Sequence, residues 1–133
     1  MEIPITRVEA GKEKQKPVDE PAMGFGRYFS DYMFMMDYQP DRGWHYPRIE
    51  PYQALELDPA TMVLHYGQEA FEGLKAYRGK GDGVYLFRHR DNIRRLNQSC
   101  ARLVMPQLPE DIVSEGIVQL VKLEKDWIPH SPG

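Results

Sequence analysis

From Phe25 to Gln39, rings and aliphatics alternate with smaller and charged side chains. Phe25, Arg27, Phe29, Asp31 and Met33 fall on one side of an extended chain, and Tyr28, Ser30, Tyr32 and Phe34 on the other. A period of two so rich in aromatics predicts a strand over 25–39. Pro40, Asp41 and Gly43 follow closely and predict a turn or hairpin connection over 40–44. "RIEPYQALELD", residues 48–58, alternates again as a second strand, which Pro51 confines to an edge or a bulge. "PATMVLHYGQEAFEG", residues 59–73, opens as a loop and holds a short helical run, with Gly73 as its expected stop.

The clearest signal comes next. "LKAYRG" and "VYLFR" are short apolar-aromatic runs on either side of "KGDG", residues 80–83, which predicts a β-hairpin closed by an Asp-Gly turn. Ile93, Leu96, Cys100 and Leu103 recur at helical spacing, with Asp91 as the expected N-cap. A second helix carries the stripe Ile112, Val113, Gly116, Ile117, Leu120 and Val121. Pro109 is expected at its first position, Glu110 and Asp111 in its first turn, and Pro129 at its end. The order strand, strand, short helix, hairpin, helix, helix predicts an α+β fold, an antiparallel sheet with helices packed on one face. Residues 10–24, rich in Lys, Glu, Pro and Gly without periodicity, read as mobile, so 1–24 is expected to be an arm and 25–133 the domain.

Composition narrows the classes. The chain has 133 residues, 41% hydrophobic and 28% charged, which suits one folded domain or part of a larger one. A net charge of -3 argues against a general nucleic-acid binder. The single cysteine, Cys100, cannot close an internal disulfide and fits a reducing compartment. No stretch has the length of a membrane-spanning helix, and the first residues have neither the apolar core of a secretory signal nor the acid-poor character of a transit peptide. A cytoplasmic location is the expectation.

Candidate chemistry lies in three places. Arg88, Arg90, Arg94 and Arg95 crowd a helix start, which reads either as a phosphate cradle or as a solvated arginine-rich face. Phe29, Tyr66 and Phe71 read either as a pocket wall or as core. Lys75, on a hairpin strand, reads as a solvated bystander. His45, His65, His89 and His130 have no metal-ligand spacing, so no metal site is expected, and no glycine-rich phosphate loop is present.

"LHYGQEAFEGLKAYRG", "LFRHRDNIRRLNQSCARLVMP" and "VKLEKDWIP" resemble, in order and spacing, the branched-chain amino-acid aminotransferases, pyridoxal-phosphate enzymes of fold type IV. "FGRYFSDYMFMMDY" and "GWHYPRIEPYQALELDPAT" look like the larger subtype, so the resemblance runs from Phe25 to Pro129. It implies transfer of an amino group from leucine, isoleucine or valine to 2-oxoglutarate by a homodimer using pyridoxal 5'-phosphate. It implies that Arg95, the second arginine of "NIRRL", binds the cofactor phosphate, and that Phe29, Tyr66, Phe71 and Gly73 border the pocket for the branched side chain. The family's Schiff-base lysine lies in a C-terminal domain beyond residue 133. The resemblance therefore implies an incomplete N-terminal small domain with no catalytic residue of its own, inactive in isolation. A D-amino-acid aminotransferase, an aminodeoxychorismate lyase and a non-catalytic binding module are the alternatives.

Overall fold

The structure is a computed structural model and describes residues 3–130. Strand β1, Tyr32–Gln39, turns through residues 40–42 into β2, Gly43–Pro51. The two pair antiparallel from Tyr32 opposite Pro51 to Gln39 opposite Gly43, with a bulge between Met35 and Asp37. Arg48 fastens the bulged region, donating to Asp37 and Glu50 at 3.0 Å each. Both strand limits differ from the sequence reading. Gly24 and Gly26 take positive φ, so the alternating run 25–31 is irregular chain, and Gly43 (φ +67°) starts β2 five residues early.

Helix α1, Met62–Tyr66, is one turn long and stops at Gly67, whose φ of +57° is the left-handed stop glycine supplies cheaply. The expected stop at Gly73 is corrected accordingly. The predicted hairpin is present as β3, Ala76–Arg78, and β4, Val84–Leu86, but its connection is a 3-10 turn over Lys80–Asp82 with Gly81 and Asp82 left-handed, which corrects the expected Asp-Gly turn. It forms its own two-stranded sheet, so the single expected sheet is instead two separate antiparallel pairs.

Helix α2, His89–Arg102, and helix α3, Glu110–Leu123, complete the fold. Asp91 lies in the first turn of α2 and is not its cap, and Pro109 precedes α3 by one position. Helix α3 ends at Leu123, well before Pro129, in a short 3-10 turn over Lys125–Trp127. It lies across β1 and β2, and α2 packs on α3. Gly116 permits this approach: a Cβ there would sit 2.5 Å from the Phe34 ring of β1. His89 of α2 meets the Ser114 hydroxyl of α3 at 2.8 Å. Buried Asn97 holds the connecting loop from both sides, donating to the Leu108 carbonyl at 2.9 Å and accepting from the Leu108 N–H at 2.7 Å.

The expected arm is not uniformly loose. Ile3 is buried, and Ile5 bridges in parallel to Ile49 on the outer edge of β2, with Ile49 N–H donating to Pro4 and Thr6 N–H to Ile49, both at 2.9 Å. Lys14 N–H donates to buried Asp31 at 2.8 Å, which also accepts from the Trp127 indole at 3.2 Å. Among the described residues the buried apolar set is Ile3, Ile49, Ile93, Cys100 and Val113.

Candidate functional site

Helical spacing places Asn92 and Arg95 one turn apart on one face of α2, with Gln98, Ser99 and Arg102 continuing along it. The segment after α1 crosses that face and presents Glu72. Arg95 donates to the Glu72 carboxylate through Nε at 2.6 Å and again through Nη2. Asn92 Nδ2 donates to the same carboxylate at 3.1 Å and to the Gly73 carbonyl at 2.9 Å, and Gly73 N–H donates to Glu72 at 3.1 Å. The Arg95 hydrogen bond is the main cause that holds the Glu72 carboxyl at about 2, against an opposing desolvation. Glu72 raises the Arg95 guanidinium in turn.

The Arg95 side chain is 66% exposed and the Glu72 side chain 11%. The guanidinium opens onto a groove lined by Gln98, Ser99, Arg102 and Leu103, with no acid among these. The neighbouring arginines are committed elsewhere. Arg88 and Arg94 pair with Asp91, Arg94 also reaches Glu110, and Arg90 pairs with Asp111. Each arginine of the crowded run is thus ion-paired, and Arg95, paired with Glu72, is the one that also borders this groove.

The aromatic candidates are spread over the surface. Phe71 is 86% exposed and Tyr66 77%, so neither is core in this chain. Phe29 is half exposed and stacks on Tyr52 at 5.1 Å between centroids. Gly73 joins the Arg95 cluster through Asn92, which donates to its carbonyl, and Phe71 is the chain neighbour of Glu72, whereas Phe29 packs on Tyr52. Gly73 borders a cleft with Phe25, Lys75, Phe87 and Asn92, and a Cβ on it would meet nothing within 4 Å. A cleft of about 520 Å³ runs between residues 20–24, β3 and Pro129–His130, where Lys75 lines it. It holds none of the predicted site residues.

Glu72 and Asn92 join the Arg95 cluster without having been singled out in the sequence. The three-residue step from Asn92 to Arg95 was the available signal. Among the described residues no group of three His, Cys, Asp or Glu side chains is placed to hold a metal ion, and no helix is long and apolar enough to cross a membrane.

No protein-family model matches the chain. Known proteins do. Branched-chain-amino-acid transaminase 1 of Bacillus subtilis is 58% identical over 129 residues, 97% of this chain and 36% of that protein. Branched-chain-amino-acid aminotransferase 2 of the same organism is 54% identical over 127 residues, 96% of this chain and 35% of that protein. A branched-chain-amino-acid aminotransferase of Mycolicibacterium smegmatis is 46% identical over 110 residues, 83% of this chain and 30% of that protein. The chain spans about a third of the length of these curated relatives. Over nearly all of its own residues, the chain is homologous to the N-terminal third of the branched-chain-amino-acid aminotransferases.

Proposed function

We propose that this chain is the N-terminal part of an enzyme that moves the amino group of leucine, isoleucine or valine to 2-oxoglutarate with pyridoxal 5'-phosphate, on a fold type IV scaffold and as a homodimer. The match at 58% identity over 97% of the chain carries the reading. The names of the relatives favour it over a D-amino-acid aminotransferase or an aminodeoxychorismate lyase.

The cofactor, when bound, supplies the carbonyl that carries the amino group between the two half-reactions. The residues present fit its phosphate. Arg95, Arg102 and Gln98 border a groove with no acid among its lining residues, side chains whose N–H donors suit an anion. Arg95 binds the phosphate there and Arg102 adds positive charge. Phe71 and Tyr66 offer exposed rings to a branched aliphatic side chain. Gly73, beside open space, leaves room for it.

The test compares Arg95→Ala with Arg94→Ala in the full-length protein, measuring pyridoxal 5'-phosphate affinity. Loss of a hydrogen bond between charged groups sets the scale, so Arg95→Ala is expected to weaken binding roughly 10- to 100-fold. Arg94→Ala, whose partners are Asp91 and Glu110, is expected to change it far less. Equal losses would reduce the two arginines to a diffuse positive patch and sink the assignment.

A further inference from the structure

We propose that Glu72 is the positioning residue of this groove: it fixes the Arg95 guanidinium by one edge and leaves the other edge to face an incoming phosphate. The inference rests on the reading of Arg95 as a phosphate ligand and adds a residue to it. A guanidinium carries five N–H groups in a planar fork. Glu72 takes one at Nε and one at Nη2. The remaining three, on Nη1 and Nη2, form a second edge able to grip another anion bidentately.

Glu72 is suited to hold rather than to compete. Its side chain is nearly buried, while that of Arg95 is mostly in solvent. Asn92 and the Gly73 N–H anchor the carboxylate from the helix and from its own loop. Held at about 2, it stays ionised at any ordinary working pH and does not release the arginine by protonation. An exposed arginine without such an anchor samples many rotamers, and fixing them opposes binding. The negative charge of Glu72 does reduce the pull on an anion. The groove is open to water, which screens that repulsion, and Arg102 on the same groove adds a positive charge.

The experiment titrates the apo form of the full-length protein with pyridoxal 5'-phosphate and, separately, with pyridoxal, following each by absorbance. The readout is the preference for the phosphorylated ligand. That ratio is insensitive to general loosening, which weakens both ligands together. Glu72→Ala is expected to lower the preference roughly tenfold, the scale of one lost charge-assisted hydrogen bond, with pyridoxal affinity near parental. Glu72→Gln keeps an acceptor for Arg95 and is expected to lose less, in the same direction. It also serves if Glu72→Ala does not fold. An unchanged or increased preference in these variants, while Arg95→Ala abolishes it, overturns the positioning role and leaves Arg95 as the phosphate ligand. If Arg95→Ala also keeps the preference, the Arg95 reading fails and the inference fails with it.

Discussion

Phe71 shows what one side chain's surroundings decide. In sequence its ring reads as a pocket wall or as core, and composition favours core. At 86% exposure it has no core to support in this chain. Phe71→Ala in the full-length protein is therefore expected to leave stability within about 0.5 kcal/mol of parental, as surface changes do. It is expected to lower the specificity constant for isoleucine relative to glutamate by roughly 10-fold or more, the scale of discrimination for a methylene-sized change in a hydrophobic pocket. The melting temperature and the two specificity constants check both halves. A lower melting temperature with an unchanged ratio would return Phe71 to a structural role. Arg95 is singled out by its place in "NIRRL", through the family resemblance, since the residue pattern alone does not separate it from Arg88, Arg90 and Arg94. Glu72 is not: its partners Asn92 and Arg95 lie 20 and 23 residues away, and a carboxylate between Phe71 and Gly73 reads as solvated until the chain folds back.

At the scale of elements, the end of α2 carries strain that only its geometry reveals. Met105 N–H returns to the Cys100 carbonyl at 2.8 Å and Val104 N–H to Ala101 at 3.2 Å, the paired bonds of a Schellman ending. That ending needs a left-handed residue, and here it is Val104 at φ +56°, a β-branched side chain 89% exposed. The left-handed conformation costs a non-glycine residue roughly 1–2 kcal/mol. Val104→Gly is expected to stabilise the protein by up to about 1 kcal/mol, after allowing for the freer unfolded glycine chain. Denaturant midpoints check this; a loss of stability would mean that the exposed valine packs against something outside these residues. The hairpin of β3 and β4 was legible because two short apolar runs flank a glycine-rich connection, although the turn forms at Gly81 and Asp82 rather than at Asp82 and Gly83. The starts of β1 and β2 were not, because alternation marks where a strand could run, while pairing decides where it does.

The molecule as a whole is open for its size. Its accessible surface is 10015 Å², against about 7,200 Å² for a compact monomer of 15.5 kDa. The difference, roughly 2,800 Å², is on the scale of a large protein interface. Rings such as Phe25 and Phe87 contribute to it. Two glutamates give stability opposite slopes with pH. The folded-state value of Glu72 is depressed, so its contribution is present above 4.5 and is lost as pH falls from there towards 2. Glu124, buried beside Asp31, is raised chiefly by desolvation. Its ionised form opposes folding, a penalty absent below 4.5 that grows as pH rises through the raised value. Stability is therefore expected to peak in mild acid. Glu124→Gln, in which the side chain still accepts from the Tyr32 N–H, should remove the decline towards neutral pH and leave the acid limb intact. Denaturant midpoints from pH 3 to 8 check it, and an unchanged decline in the variant would assign the slope to other groups.

The single parallel bridge between Ile5 and Ile49 has a kinetic meaning as well as a structural one. Residues 4–6 occupy the outer edge of β2, where a strand from another chain would otherwise template cross-β growth. The guard is short, so it can peel away by local opening while α2 and α3 stay packed. Association through that edge is then expected to follow the fraying of a few N-terminal residues rather than global stability.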